Sequence, residues 1–188
     1  MTLYKYRGLQ SFKFLVDILL KSRLYAAPYC DLNDPMEGQY LLSPSGSIDE
    51  DMQSMLNSQT DMFRICSFSQ TPDNQLMWAH YAEGHRGLVL GVEICESDCV
   101  VREIVYEGPL KIGRHNFNPN APLEVLSRKL SAWEYEEEVR AFVKNRFFIG
   151  VEIKEIILGS RMSNQDKSLV KELCRRTCPN ASVSKAST

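Results

Sequence analysis

Apolar and polar positions along the chain change period repeatedly, and each change marks an element. Leu3–Arg7 alternates and is rich in aromatic residues, which predicts a strand. Ser11, a favoured capping residue, precedes Phe12, Leu15, Val16, Leu19 and Leu20 at helical spacing, so an amphipathic helix is expected to end near Lys21 or Ser22. Residues 24–27 form a short extended piece that Pro28 stops. Asp31-Leu32-Asn33-Asp34-Pro35 is turn chemistry, with Pro35 placed to open a short helix. A loop rich in Ser, Gly and Pro over 42–50 leads into a polar helix over 52–57. Residues 62–69 (MFRICSFS) predict a central strand, and 75–83 a short helix. Residues 87–94 (GLVLGVEI) predict a buried strand, and 100–106 another. Residues 109–122 have loop composition, and 123–130 suit a helix. A strand over 151–158 stops at Gly159. The last helix, over 163–174, starts from Ser163 with Asp166 three residues on, an acidic capping box.

Residues 133–143 fit either period. The run Val139-Arg140-Ala141-Phe142-Val143 favours a strand. Strands outnumber long helices and cluster in the middle and late chain, which predicts an α+β fold rather than βαβ alternation. The expectation is one globular domain over residues 1–178, with a central, mostly antiparallel sheet and flanking helices. Residues 179–188 are polar and are expected to fray as a flexible tail.

With 188 residues, 44% of them hydrophobic, the chain can bury a core without disulfides. The net charge of −2 lacks the basic excess that a nucleic-acid backbone selects, although it is compatible with a local basic patch. The cysteines Cys30, Cys66, Cys95, Cys99, Cys174 and Cys178 form no C-x-x-C, and His80, His85 and His115 do not stand at zinc-ligand spacing to them. Reduced thiols, no metal, no leader and no membrane partner are the expectation, which makes the protein cytoplasmic.

Four stretches carry candidate chemistry. On a strand, Lys5 and Arg7 share one face and Tyr4 and Tyr6 the other. Arg7, at the strand end, can hold a phosphate or carboxylate in two parallel bonds; the plainer role is a solvated edge. Ser67 and Ser69 point one way while Cys66 and Phe68 point into the core. The paired hydroxyls suit a carboxylate or ribose, or make an ordinary polar face. On the helix over 75–83, Met77, Trp78 and Tyr81 face together, and His80 faces elsewhere; Trp78 is expected in the core. In the acidic stretch, a strand places Glu136, Glu138 and Arg140 on one face, opposite Tyr135, Val139, Ala141 and Val143. A helix would leave Glu136 and Arg140 as a surface pair worth about 0.3–0.5 kcal/mol.

In this order the stretches resemble a widespread bacterial and phage family, domain-of-unknown-function family twenty-nine seventy-one. The likeness rests on LYKYR at 3–7, NDPME at 33–37, CSFS at 66–69, and MWAHY at 77–81 with His85-Arg86-Gly87. It continues through WEYE at 133–136 with Glu138 and Arg140, and IILG at 156–159. A more distant likeness is to arginine-class ADP-ribosyltransferases, which carry an Arg on the first strand, then a Ser-x-Ser strand, then a Glu-x-Glu strand. Arg7, Ser67-Phe68-Ser69 and Glu136-Glu137-Glu138 follow that order, with Phe68 where the usual threonine stands. This resemblance implies NAD as substrate and cleavage of its nicotinamide–ribose bond. Arg7 would hold the pyrophosphate, and Ser67 and Ser69 would order the pocket. Glu138, with Glu136, would be the catalytic carboxylate. Tyr81 and His80 are further candidate NAD contacts, and Tyr81, Trp78 or Phe68 could stack on the nicotinamide. The acceptor could be protein or nucleic acid. The alternatives are a non-catalytic module holding a nucleotide or partner in phage–host conflict, and a hydrolase using His80 as base with Ser67 or Cys66 as nucleophile.

Overall fold

A computed structural model describes residues 1–44, 46–95, 97 and 99–187. In chain order its elements are β1 (Leu3–Arg7), α1 (Phe12–Lys21), β2 (Arg23–Tyr25), β3 (Tyr40–Leu42), α2 (Glu50–Asp61), β4 (Phe63–Ser69), α3 (Gln75–Tyr81) and β5 (Leu88–Ile94). Then follow β6 (Val100–Glu103), β7 (Leu110–Ile112), α4 (Ala121–Val125), β8 (Glu138–Lys144), β9 (Phe148–Leu158), α5 (Asn164–Thr177) and β10 (Ser182–Lys185). The main sheet runs β10-β9-β5-β1-β4-β8-β6, with β2 also paired to β9. Every pair in it is antiparallel except β10 with β9. The fold is therefore the α+β domain expected from the pattern.

The apolar run of β5 follows from its burial on both faces. On one face, Leu15 and Leu19 of α1 and Val170 of α5 pack with Leu88, Leu90, Ile156 and Leu158. On the other, Met77 and Trp78 of α3 pack with Tyr6, Val89 and Ile157. Each such side chain contributes about 1.5–3 kcal/mol. Gly87 lets β5 start against β1, since a Cβ there would lie 2.1 Å from the Arg7 carbonyl oxygen. A second lobe joins the parallel pair β3–β7 to α2 and α4 around Leu56, Ile112 and Val125. It meets the β4–β8 end of the sheet through Ile65, Leu126 and Phe142.

Several boundaries differ from the pattern, each for a physical reason. Ser11 makes no side-chain cap bond, and α1 stops at Lys21 because Ser22 turns left-handed at φ 49°. Pro35 opens no helix: the Asp34 carboxylate accepts from the Met36 N–H, and Gly38 turns at φ 72°, giving successive turns. The helix expected over 123–130 ends at Val125, because Val105 donates to the Ser127 carbonyl and accepts from the Lys129 N–H, drawing the chain into an extended bridge. The ambiguous acidic run divides. Residues Ser131–Glu136 form a 3-10 turn, Glu137 adopts φ 44°, and the strand begins at Glu138. The expected fraying of 179–188 is corrected by β10, which pairs in parallel with β9 from Ser182↔Glu155 to Lys185↔Leu158.

Candidate functional site

The site begins where the main sheet comes apart. β1 is joined to β5 through five register pairs from Leu3↔Val92 to Arg7↔Leu88, but meets β4 at one pair, Tyr4↔Ser69. Beyond that pair the Ser67 carbonyl accepts instead from Lys5 Nζ at 2.6 Å. Lys5 and Arg7 leave β1 on the face that carries Leu3, while Ser67, Ser69, Glu138 and Arg140 share the opposite face of β4 and β8. The open seam brings both sets to one cleft of about 780 Å³. Arg7, Ser67, Ser69, Glu136 and Glu138 all line it, with Tyr81 and His80 at its α3 side. Phe14, Tyr25 and Leu32 also line it.

Under the seam lies a buried ionic cluster. Arg140, with no exposed surface, donates from Nη1 and Nη2 to the two Glu37 oxygens at 2.7 and 2.5 Å. Its Nε donates to Glu138 Oε1 at 2.7 Å, and Nη1 also donates to the Leu126 carbonyl at 2.7 Å. Lys129 Nζ donates to Glu136 Oε2 at 2.5 Å and to Glu138 Oε2 at 3.2 Å. Tyr81 Oη donates to Glu136 Oε1 at 2.5 Å and accepts from Asn33 Nδ2 at 3.1 Å. The second lobe supplies Glu37 just ahead of β3, and the extended bridge at Val105 aims Lys129 inward. Geometry this complete is what lets charges stay buried, because pairing must offset several kcal/mol of desolvation per ion.

The electrostatics follow from those contacts. Burial pushes the Glu138 carboxyl up, but the Arg140 and Lys129 charges and a Ser67 hydrogen bond overcome it and hold the group at about 2. Burial pulls Arg140 down, and Glu138 and Glu37 more than reverse that, so it stays charged. Lys129 is likewise raised by Glu138 and Glu136 against its burial. Burial lifts the Glu37 carboxyl above the usual range against the pull of Arg140. At the seam, burial lowers both Lys5 and Arg7. Arg7 Nε is buried without a hydrogen-bond partner, and among the described residues no carboxylate lies within salt-bridge distance of its guanidinium. Arg7 is thus a half-buried cation that faces the cleft with its Nε unpartnered.

The expected residues separate into those held and those displaced from their roles. Ser67 lines the cleft and helps keep Glu138 ionised; Ser69 is fully buried and accepts from the Thr71 N–H at 3.3 Å. Glu136 does not lie on the strand, yet its carboxylate reaches the same cluster from the end of the 3-10 turn. Trp78 is in the core, edge-on to Tyr6 and stacked on His85 at 4.8 Å. His80 is exposed on the cleft wall, with rings of Tyr81 and Tyr135 beside it. Cys66 sits in the core with its thiol pushed up by burial, which corrects the idea of a Cys66 nucleophile. Glu37, Lys129 and Lys5 were not read as site residues. Lys5 shares the Arg7 face and was within reach of the pattern; the other two stand in turn-like segments without local periodicity. Among the described residues no cluster is arranged to hold a metal ion, and no helix is long and apolar enough to cross a membrane. Comparison with protein families, with characterised proteins and with solved structures finds no match.

Proposed function

We propose that the cleft binds NAD and that the protein is an ADP-ribosyltransferase-like enzyme that cleaves the nicotinamide–ribose bond. The observation that carries this reading is the convergence of Arg7, Ser67 and Glu138, from β1, β4 and β8, on one cleft. In this reading Arg7 takes the pyrophosphate, because its buried Nε has no hydrogen-bond partner and the side chain lines the cleft. The apolar side chains in the lining, Phe14, Tyr25 and Leu32 among them, suit a planar base. Breaking the glycosidic bond builds positive charge on the ribose, as in glycoside hydrolysis. A fixed carboxylate there favours the transition state over neutral ribose. One such interaction at about 4 Å and an effective dielectric near 20 is worth roughly 4 kcal/mol. That corresponds to about a thousandfold in rate. Glu138 is ionised throughout the physiological range, as this role requires. The same reading includes membership of domain-of-unknown-function family twenty-nine seventy-one.

The test is incubation of the full chain with nicotinamide-labelled and adenylate-labelled NAD, alone and with cell lysate or nucleic acid. Wild type is expected to release nicotinamide, and Glu138→Gln to lose about a thousandfold. Absence of nicotinamide release and of label transfer under every condition overturns the catalytic reading.

One observation favours a second reading. Both candidate acids already have protein donors: Glu138 from Arg140 and Lys129, Glu136 from Lys129 and Tyr81. Their charge is largely spent inside the protein, which suits a non-catalytic module holding a nucleotide or partner. NAD-dependent stabilisation without turnover distinguishes it.

A further inference from the structure

The chain is net acidic, but one end of its main sheet is not. There β2, the start of β4 and the loop from β8 to β9 gather three aromatic side chains, Tyr25, Phe147 and Phe148, each more than a third exposed. Tyr25 and Phe147 are nearly parallel, 7° apart with centroids at 6.1 Å, and Phe148 stands edge-on to Tyr25 at 5.9 Å. Cations accompany the rings. The Arg23 guanidinium lies 3.7 Å from the Phe148 centroid, and that of Arg64 lies 5.1 Å from Phe147. Lys144, the last residue of β8, is exposed and places Nζ 5.0 Å from the ring of the buried Phe63. Lys21, at the end of α1, joins Arg23 through a shared Asp17.

These exposed rings touch one another and form one contiguous patch, the kind of surface that interaction sites use. The cations set the sign of the partner as a polyanion, and the flat rings select one with accessible planar faces. A duplex hides its base faces, and an anionic membrane makes no use of parallel rings with cations over them. Single-stranded nucleic acid offers both phosphates to the cations and unpaired bases to the rings. Tyr25 also lines the mouth of the cleft, so a strand on this face would run up to it. We propose that this face is a binding surface for single-stranded nucleic acid, independent of what the cleft turns over.

Fluorescence anisotropy with the full chain tests the proposal. The probes are labelled oligo-dT and oligo-U of about fifteen nucleotides, in the size range of one such binding face, together with a duplex of equal length. The single strands are expected to bind at low salt, with affinity falling steeply as salt rises, and at least about tenfold more tightly than the duplex. Phe147→Ala is expected to weaken binding about tenfold, and Phe147→Ala combined with Lys144→Glu to weaken it further and flatten the salt dependence. Lys144 and Phe147 are exposed, so circular-dichroism melting should remain near wild type. The proposal fails if neither oligonucleotide binds, or if duplex binds equally and Phe147→Ala changes nothing. It fails as well if mixed phosphatidylserine and phosphatidylcholine vesicles outcompete the oligonucleotides.

Discussion

Arg140 holds two carboxylates at once, which makes it the least replaceable side chain near the cleft. Arg140→Met leaves Glu37 and Glu138 buried without their main partner, and is expected to lose about 3–5 kcal/mol of unfolding free energy in urea. A triple variant, Glu37→Met, Glu138→Leu, Arg140→Met, should recover most of that loss, because Lys129 keeps Glu136 and no bare charge is left. If the triple variant is no more stable than the single, the loss comes from packing and not from unpaired charge. Acid adds a second check. Glu138 sits at about 2 in the fold against an ordinary 4.5, so its stabilisation is complete above about 4.5 and is lost as pH falls toward 2. The depression corresponds to roughly 3 kcal/mol. Glu37, lifted by burial, acts with the opposite sign and returns part of it. Unfolding measured between pH 5 and about 2.5 should therefore fall more steeply for wild type than for Glu138→Gln; parallel slopes would contradict the assignment. At this scale the sequence showed half of the cluster. The alternation Glu138–Arg140 on a strand was legible, because a period of two puts them on one face. Their partners Glu37 and Lys129 were not, since these arrive from a distant turn and an irregular segment that only the tertiary bridge at Val105 aims.

Elements were legible where apolar periodicity or a cap specified them. The aromatic alternation of β1, the apolar run of β5 and the Ser163 cap of α5 all stand where the pattern puts them, and the cap accepts from the Asp166 N–H at 3.0 Å. β10 was illegible for a related reason: its residues are polar and exposed, and its place comes from backbone pairing with β9. Such a strand contributes little burial, but it covers an otherwise open edge of β9. Ending the chain after Pro179 is therefore expected to lower stability by only about 1–2 kcal/mol. The larger expected effect is concentration-dependent association, seen by light scattering, with faster hydrogen exchange in the 155–158 segment of β9. Unchanged exchange there would show that the pairing does not protect the edge. The acidic run was illegible in another way. A helix or a strand was expected, and the chain uses a 3-10 turn, then a left-handed residue, then a strand. That break lets Glu136 and Glu138, which a continuous strand would hold in register, approach Lys129 from two directions.

At the scale of the whole molecule, the β1–β4 seam divides the sheet into β10-β9-β5-β1 on one side and β4-β8-β6 on the other, with Tyr4↔Ser69 as the register pair between them. A ligand that takes Arg7 and also reaches Ser67 ties the two sides together, so its binding should appear as global stability. At about a hundred times its dissociation constant, NAD would add roughly 2.7 kcal/mol, which for a domain of this size raises Tm by about 5–10 °C. Arg7→Met separates this from non-specific effects because its two consequences have opposite sign. Removing a buried donor that lacks a partner relieves a penalty of about 1–3 kcal/mol, so the ligand-free variant should melt at or above the wild-type temperature. The same variant should show no shift with NAD. A variant that melts well below wild type means that Arg7 has a structural role, and one that keeps the full shift means that the phosphates bind elsewhere. Hydrogen exchange then locates the ligand. Protection on both β1 and β4 is expected from a molecule lying across the seam, whereas protection on β1 alone would leave Ser67 and Glu138 outside the site and remove the geometric basis for catalysis.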